Sequence, residues 1–323
     1  MTLPVALTCG DPSGVGPEIA VAARAVLRDT LPLVWIGDPR HLPDGTGWVE
    51  VDTPQEALGA PADHLPVLRH DFAAPATPGA PDPANASGVV AVISRAVEMA
   101  MSGEVAGVCT APISKAELMR HAAFAFPGHT EFLAHLAGVR DVVMMLAADE
   151  LKVVPVTIHI PLSEVPEALT AQAIETTIRI LHAALRRDFG LTAPRIAVAG
   201  LNPHAGEAGL MGREEIEVIA PALDKLRAEG MHISGPLPGD TMFHVAARAR
   251  YDAAVAMYHD QALIPIKTLA FDRGVNVTLG LPFVRTSPDH GTAFDIAGKG
   301  VANPTSTIEA LKLAARMAEA RAR

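Results

Sequence analysis

The chain has 323 residues, of which 49% are hydrophobic and 19% charged, so it holds enough apolar material for a large α/β core of one or two lobes. Its formal charge of −10 argues against a basic face for nucleic acid or an anionic membrane, and an anionic ligand must be held by local cations or backbone amides. With only Cys9 and Cys109, a disulfide framework and a cysteine-based zinc site are excluded, and we expect buried thiols in a reducing compartment.

The amino-terminal residues show no cationic segment followed by an apolar one, and no apolar stretch is long enough to span a bilayer. We therefore expect a cytoplasmic protein without a signal peptide. Neither a membrane nor a nucleic acid is expected as its partner.

Short apolar runs rich in β-branched residues alternate with stretches of helical period, which is typical of βα units around a mostly parallel sheet. The predicted strands are "PVALTC" (4–9), "PLVWIG" (32–37), "VAGVCT" (105–110), "VVMML" (142–146), "VVPVTI" (153–158), "RIAVAG" (195–200), "AAVAMY" (253–258) and "VNVTLG" (275–280). Helices are predicted at 88–101 and at 214–229, before Gly230. The capping-box spacing of Ser306 and Glu309 predicts the start of the last helix.

Two segments rich in glycine or proline stand out from this pattern. "GDPSGVGPE" at 10–18 lacks both the Rossmann glycine spacing and the ending of a phosphate-binding loop, so we interpret it as a tight strand-to-helix turn with Pro17 in the first helical turn. "AAPATPGAPDPANAS" at 73–87 cannot pack a core and is predicted to be an exposed connection, either a linker or a long loop.

The sequence "FPGHTEF" places His129 and Thr130 where a helix should begin. Exposed amides at a helix start suit a phosphate group. Taken alone, these residues are explained more simply by a capping threonine beside an incidental histidine.

Three histidines each follow a predicted strand: His159 after "VVPVTI", His204 in "GLNPHAGEAG", and His259 after "AAVAMY". Parallel α/β sheets gather their strand ends at one edge, where these imidazoles can converge. Three neutral imidazoles that leave one position open suit a catalytic divalent ion. For each histidine alone, a structural role agrees with the sequence about as well.

Two aspartates accompany these histidines. Asp260 follows His259 directly, and Asp240 lies in "GPLPGDT". Each can orient a metal ligand, act as a general base or cap a helix, and the sequence does not choose among these roles.

Lys267, Asn276 and Arg285 punctuate apolar, strand-like sequence. Cations near strand ends can clamp a carboxylate or a phosphate, although an arginine in such a place is usually solvated. These two cations supply positive charge that an acidic chain otherwise lacks.

The loop "HGTAFDIAGKGVANP" at 290–304 precedes the last helix and is punctuated by glycines. An acid facing a nucleotide accepts hydrogen bonds from ribose hydroxyls and repels a ribose phosphate, so Asp295 favours NAD over NADP. A glycine-rich surface turn is the alternative, and physical reasoning alone favours it. The candidate cofactor residues of this loop are His290, Gly291, Thr292, Asp295 and Asn303.

Six motifs in order, "GDPSGVGPE", "PGHTEF", "GLNPHAGE", "GPLPGDT", "YHDQ" and "GLPFVRTSPDHGTA", resemble the 4-hydroxythreonine-4-phosphate dehydrogenase family over nearly the whole chain. The loop at 290–304 is similar to the cofactor loop of isopropylmalate and isocitrate dehydrogenases. The resemblance implies an α/β fold with two α/β/α lobes of that type and an active site in the cleft between them. The first lobe, 1–130 plus 268–323, is expected to carry the NAD loop, and the second, 131–267, the metal ligands and dimer contacts.

The same resemblance implies a homodimer whose subunits share active sites. It implies metal ligands at His159, His204 and His259, which would hold zinc, magnesium or cobalt. NAD is the implied cofactor. The implied substrate-binding residues are His129, Thr130, Lys267, Asn276 and Arg285.

The resulting hypothesis is an NAD- and metal-dependent oxidation of 4-phosphohydroxy-L-threonine to a β-keto acid, which decarboxylates to 3-amino-2-oxopropyl phosphate in pyridoxal 5'-phosphate biosynthesis. Asp240, Asp260 and Lys267 are the candidate catalytic side chains, with the proton acceptor left open between the aspartates and metal-bound water. Alternatives are the same chemistry on phosphorylated threonate or erythronate or on a dihydrodiol, or a metal-dependent aldolase or hydrolase acting on a sugar phosphate.

Overall fold

The computed structural model describes residues 3–126 and 128–322, which fall into two compact units. The first unit holds the chain up to Arg140 together with Leu281–Ala322, and the second holds Asp141–Gly280. These limits differ from the boundaries expected at 130 and 267, because the strand Val275–Leu279 pairs antiparallel with Val143–Ala148 inside the second unit. No helix in the described ranges is long and apolar enough to cross a membrane.

Regular elements are numbered here in chain order over the described residues. The strands are β1 (Val5–Thr8), β2 (Leu33–Gly37), β3 (Trp48–Glu50), β4 (Leu65–Arg69), β5 (Gly107–Thr110), β6 (Val143–Ala148), β7 (Leu151–Pro155), β8 (Arg195–Ala199), β9 (His232–Leu237), β10 (Ala253–Ala256), β11 (Val275–Leu279) and β12 (Arg285–Pro288). The α-helices are α1 (Gly16–Leu27), α2 (Ala86–Ser102), α3 (Lys115–His121), α4 (His129–Leu136), α5 (Val165–Ala168), α6 (Ala171–Arg187), α7 (Ala220–Ala228), α8 (Val245–Arg248), α9 (His259–Ala270) and α10 (Thr305–Arg321).

The first unit is built on a parallel sheet with the strand order β3-β4-β2-β1-β5-β12. Its central strands are buried along their whole length, as sheets covered on both faces require. Helix α1 starts directly after the "GDPSG" turn with Pro17 in its first turn, as the sequence predicts.

Both cysteines lie in the core of the first unit. Cys9 follows β1, Cys109 lies in β5, and both are free thiols, which confirms the prediction of buried cysteines. Burial raises the pKa of the Cys109 thiol to about 12 and also raises the pKa of the Cys9 thiol, so both are protonated at neutral pH.

The second unit is built on a mixed sheet with the strand order β11-β6-β7-β10-β8-β9. Strands β7, β10, β8 and β9 are parallel, whereas β6 runs antiparallel to both β7 and β11. A buried cluster that includes Val153, Ala254 and Ile266 joins the parallel strands to α9. The α/β fold class is therefore confirmed, with one antiparallel strand where a mostly parallel sheet was expected.

One predicted helix start needs correction, and one predicted helix begins with an unexpected type of turn. Helix α10 begins at Thr305, so Ser306 lies in its first turn, where its hydroxyl accepts a hydrogen bond from the Asp289 N–H at 3.0 Å instead of capping the helix. The helix predicted at 214–229 starts with one π-helical turn, Glu215–Ile219, before it continues as α7. It ends before Gly230, which has a φ of +90°.

Candidate active site

The three candidate metal-binding histidines belong to neighbouring strands of the second unit. β7, β10 and β8 lie side by side and parallel, so their carboxyl ends share one edge of the sheet. His259 opens α9 after β10, and His204 lies in a turn after β8. His159 is further from its strand than expected, because β7 ends at Pro155.

His159 and His259 form a pair with ring centroids 5.6 Å apart. Imidazoles that share a tetrahedral zinc ion have centroids about 5 Å apart, since each Zn–N bond measures about 2.1 Å. The Asp260 carboxylate is 2.7 Å from Nδ1 of His259, which holds the ring in place and directs Nε2 away from the aspartate. Of the three roles considered for Asp260, its geometry fits the orientation of a neighbouring imidazole.

His204 occupies an unusual backbone conformation. Five successive residues, 204–208, have φ between +40° and +76°, and only Gly206 among them is a glycine. L-residues rarely adopt this left-handed conformation, and a run of them persists only when the surroundings impose it. The turn therefore presents His204 at the cost of backbone strain.

Glu215 lies under this turn and is 3% exposed. Its carboxylate accepts hydrogen bonds from the backbone N–H of Asn202 at 2.7 Å and from the Asn202 side-chain amide at 3.0 Å. A Cβ added at Gly206 would lie 2.6 Å from the same carboxylate, so glycine is required for the close approach. The turn is thus wrapped around one buried acid that sequence reasoning missed.

A cavity of about 350 Å³ lies beside His204. Asp240 lines it and is exposed, so the carboxylate is accessible from the cavity. Gln261 also lines it and joins the two strand ends, since its amide N–H donates to Gly200 O at 2.8 Å and its oxygen accepts from the Met257 N–H at 2.7 Å. Tyr258 lines this cavity and a second one, of about 250 Å³, that contains His159 and His259. Sequence reasoning did not single out Tyr258 and Gln261, although both belong to the motif "YHDQ", which could have identified them.

Within a single chain, the third histidine does not complete the site. No three histidine, cysteine, aspartate or glutamate side chains in residues 3–126 and 128–322 are close enough to hold a metal ion. The structure thus brings His159 and His259 together and leaves His204 apart.

Two predicted substrate-binding residues belong to the second unit. Lys267 lies within α9, with Nζ 5.7 Å from the Phe271 ring centroid, so the strand-like context expected for it is wrong. Asn276 lies in β11, and its Oδ1 is buried without a hydrogen-bond partner among the described residues. A buried acceptor of this kind needs a partner from a ligand or from water.

The first unit holds the other predicted substrate-binding residues, His129, Thr130 and Arg285. Arg285 is 3% exposed at the start of β12, and its guanidinium donates to the Thr110 hydroxyl at 2.7 Å. Burial lowers the pKa of Arg285 to about 10, so it remains a cation at neutral pH. It is the kind of buried cation that binds an anion strongly.

His129 is the first residue of α4, where the sequence predicts a helix start, and Thr130 follows it. Burial, with the positive charge of Arg285, lowers the pKa of His129 to about 3, so its imidazole is neutral. Its Nε2 is buried and has no hydrogen-bond partner among the described residues. A neutral imidazole beside a buried guanidinium can bind a phosphate or carboxylate oxygen.

The candidate cofactor loop, 290–304, belongs to the first unit. Asp295 is exposed, and no atom lies within 4 Å of a Cβ added at Gly291. Nδ1 of His290 contacts Gly291 O at 2.9 Å, and its Nε2 is buried without a partner in the described ranges. Asn303 Oδ1 accepts from the N–H and the hydroxyl of Thr305, which leaves its amide nitrogen for a ligand.

The backbone of Thr292 fixes this loop to the start of α1, because its carbonyl accepts from the Val15 N–H at 3.0 Å. Val15, Ile19 and Ala297 form a buried apolar cluster beneath the loop. An exposed acid on an anchored backbone is a suitable acceptor for ribose hydroxyls.

Comparison with known proteins identifies one family along this chain. The model of the family "pyridoxal phosphate biosynthetic protein PdxA" matches residues 17–314. A 4-hydroxythreonine-4-phosphate dehydrogenase of Roseobacter denitrificans is 63% identical over 318 residues, which are 98% of each chain.

Solved structures agree with this assignment. The crystal structure of a 4-hydroxythreonine-4-phosphate dehydrogenase from Klebsiella pneumoniae is 42% identical, with a TM-score of 0.91 over 98% of both chains. That of a terephthalate 1,2-cis-dihydrodiol dehydrogenase from Burkholderia xenovorans is 31% identical, with a TM-score of 0.69 over 97% of this chain and 98% of that one. Since a family model and close relatives both span nearly its whole length, this chain belongs to the PdxA family of pyridoxal phosphate biosynthetic proteins.

Proposed function

We propose that the chain is an NAD- and divalent-metal-dependent dehydrogenase that oxidises 4-phosphohydroxy-L-threonine. The β-keto acid product then loses carbon dioxide to give 3-amino-2-oxopropyl phosphate, a step of pyridoxal 5'-phosphate biosynthesis. The observation that carries the proposal is the His159–His259 pair, oriented by Asp260 beside the strand end that bears His204. The family and the dehydrogenase names of its relatives support the class of reaction.

The donor set of the second unit consists of imidazole nitrogens and fits zinc or cobalt better than magnesium, which prefers oxygen ligands. Imidazoles are favoured ligands of zinc and cobalt, and the spacing of His159 and His259 suits two ligands of one ion. His204 is the proposed third ligand. A divalent ion in this place supplies Lewis acidity toward a hydroxyl or carbonyl group.

The separation of His204 from the other two histidines favours a homodimer in which each metal site draws on both subunits. Apolar side chains beside the histidines support this arrangement, because large exposed apolar residues are typical of interfaces. Leu210 and Met211 extend from the His204 turn and are 83% and 45% exposed, and Leu162 near His159 is 67% exposed.

The first unit supplies the binding groups for an anionic substrate. Arg285 neutralises a carboxylate or phosphate, and the neutral His129 donates or accepts a hydrogen bond at its buried Nε2. Thr130 lies next to it at the start of α4. In the second unit, Lys267 offers a cation and Asn276 a buried acceptor oxygen, which suit polar groups of a ligand.

Asp240 is the better placed of the two candidate bases. The Asp260 carboxylate is engaged by His259, whereas Asp240 is exposed in the cavity that contains His204. In the oxidation, the carbinol carbon gives a hydride to NAD⁺ and the hydroxyl gives its proton to the Asp240 carboxylate. Loss of carbon dioxide then leaves an enol that takes up a proton to become the product ketone.

NAD is the coenzyme that the loop at 290–304 fits. The Asp295 carboxylate can accept hydrogen bonds from ribose hydroxyls. The same loop contains the other candidate cofactor residues, His290, Gly291, Thr292 and Asn303. The buried Nε2 of His290 offers a further hydrogen-bonding group to the coenzyme.

The test is to follow NADH formation with 4-phosphohydroxy-L-threonine before and after thorough chelation, beside phosphorylated threonate and erythronate. We expect turnover with the first substrate that disappears on chelation and returns with added zinc or cobalt. Activity that is indifferent to metal removal would refute the role of the histidines. NAD binding with no oxidation of any of these substrates would refute the assigned substrate class.

One alternative has an observation in its favour. The structural likeness to a dihydrodiol dehydrogenase at 31% identity shows that a related chain is named for a substrate without phosphate. A cis-dihydrodiol should therefore be included in the assay. Oxidation of the diol in preference to the phosphorylated amino acid would select this alternative, whereas failure to bind NAD would favour an aldolase or hydrolase.

A further inference from the structure

The proline-rich segment at 73–87 contains an ordered turn at residues 77–80. The Ala80 N–H donates to Thr77 O at 3.0 Å, and these two residues form an isolated β-bridge. Gly79 has a φ of +80°, a conformation in which glycine is favoured. The side chains of the turn are exposed, so packing of a core does not explain its order.

Ser13 anchors the turn to the loop that precedes α1. The Gly79 N–H donates to Ser13 O at 2.8 Å, and the Ser13 hydroxyl donates to Ala80 O at 3.1 Å. Ser13 itself is fully buried. Two hydrogen bonds to one buried residue fix the turn at a defined position.

The turn lies directly against the candidate cofactor loop. A Cβ added at Gly79 would lie 2.8 Å from Phe294 O, and one added at Gly298 would lie 2.6 Å from Pro78 Cβ. Side-chain carbons do not lie this close to other heavy atoms, so each added Cβ would require a shift of about half an ångström. Neither glycine can therefore be replaced without moving one segment against the other.

The loop is thus held on two sides. The start of α1 holds it through Val15, and the turn at 77–80 approaches it closely at Phe294 and at Gly298. The candidate ribose acceptor, Asp295, is exposed and lies between these two contacts. Fixing the backbone here fixes the position from which the Asp295 side chain extends.

We infer that the turn at 77–80 is a positioning segment of the coenzyme site, which sets the loop conformation that binds NAD. This inference rests on the proposed NAD-dependent function. The turn contributes affinity for the coenzyme by preorganising residues 294–298, and it takes no part in binding the metal or the substrate.

The test compares Gly79→Ala with Gly103→Ala. Gly103 ends α2 with a φ of +78°, and no atom lies within 4 Å of its added Cβ, so the two variants carry the same backbone penalty while only the first presses on the cofactor loop. We expect Gly79→Ala to raise the Kd and KM for NAD about tenfold, with kcat at saturating NAD unchanged. Gly103→Ala should leave both constants as in the wild type.

Hydrogen exchange gives a readout that does not depend on turnover. Amides of 290–304 should exchange faster in Gly79→Ala and not in Gly103→Ala. As a second route, Gly298→Ala should weaken NAD binding, and Pro78→Gly in the same chain should restore part of the loss because it removes the atom that the new methyl group meets.

The outcomes separate this inference from the function on which it rests. If the wild type does not bind NAD, the proposed function fails and the inference fails with it. If the wild type binds NAD and Gly79→Ala, folded, binds it equally well, only the inference is overturned. Should Gly79→Ala not fold, an NAD affinity for Gly298→Ala that Pro78→Gly does not improve would overturn it.

Discussion

Replacement of Glu215 by glutamine should weaken metal binding by roughly 10- to 100-fold, although Glu215 is not itself a proposed ligand. The variant keeps the size of the side chain and one acceptor oxygen. It loses the negative charge and the second carboxylate oxygen, so the hydrogen bonds from the Asn202 N–H and from its side-chain amide are weakened. We expect the turn that presents His204 to become disordered in a large fraction of molecules.

The magnitude follows from the backbone of the turn. His204, Ala205, Glu207 and Ala208 are left-handed L-residues, each of which costs roughly 1–2 kcal/mol, so the turn must be held against roughly 4–8 kcal/mol. Hydrogen bonds to a charged group contribute about 1.5–3 kcal/mol each. Weakening two of them removes enough stabilisation to shift the turn toward open conformations.

The assay is calorimetric titration of the metal-free protein with zinc or cobalt, together with hydrogen exchange of residues 200–212. Glu217→Gln is the matched control, because Glu217 lies in the same helical turn and forms an exposed ion pair with Arg213, a kind of contact that contributes little. Equal metal affinity in the Glu215 and Glu217 variants, with unchanged exchange in the turn, would refute the reasoning.

Three further predictions concern single side chains. Asp260→Asn should lower zinc or cobalt affinity about 10- to 100-fold by removing the charged acceptor at His259 Nδ1, and an unchanged titration would contradict this. Asp295→Arg should weaken NAD binding and improve NADP binding, as measured by the two dissociation constants, because it replaces a ribose acceptor with a cation. In the folded chain the pKa of His129 is lowered to about 3, whereas an unfolded histidine has its ordinary value of about 6.5. As the pH falls below 6.5, the unfolded chain therefore binds a proton at this residue and the folded chain does not. Wild-type stability should thus drop by about 2 kcal/mol more than that of His129→Gln between pH 7.5 and pH 5, and equal losses in denaturant unfolding would contradict this.

The sequence predicts most of the sheet because buried strands are recognisable as runs of β-branched residues. Each of the eight predicted runs overlaps a strand of the described residues, whereas β3, β4, β9 and β12 were missed. β12 reads "RTSP", a polar sequence that is nevertheless buried, because Arg285 and Thr286 find hydrogen-bond partners inside the unit. A polar strand of this kind has no periodic apolar signal.

In the candidate site too, the sequence indicated some residues and gave no signal for others. The three histidines were selected as candidates because each follows an apolar run, and the neighbouring order of β7, β10 and β8 explains how these strand ends share one edge. Glu215 was missed because its role depends on a left-handed turn eleven to seven residues upstream, and no local sequence pattern predicts such a backbone. Ser306 was misread because its hydroxyl bonds a residue distant in sequence, Asp289.

The two buried cysteines allow partial unfolding of the first unit to be measured by their reaction with a thiol reagent. Both thiols are buried in the first unit, and the sequence has no others, so a thiol reagent can label this chain only when that unit opens. Cys109 lies in β5 next to Thr110, whose hydroxyl accepts a hydrogen bond from Arg285. The rate at which Cys109 is labelled therefore measures how often β5 becomes exposed. Ligands that bind the first unit should slow this labelling to an extent set by the free energy by which they stabilise its closed form.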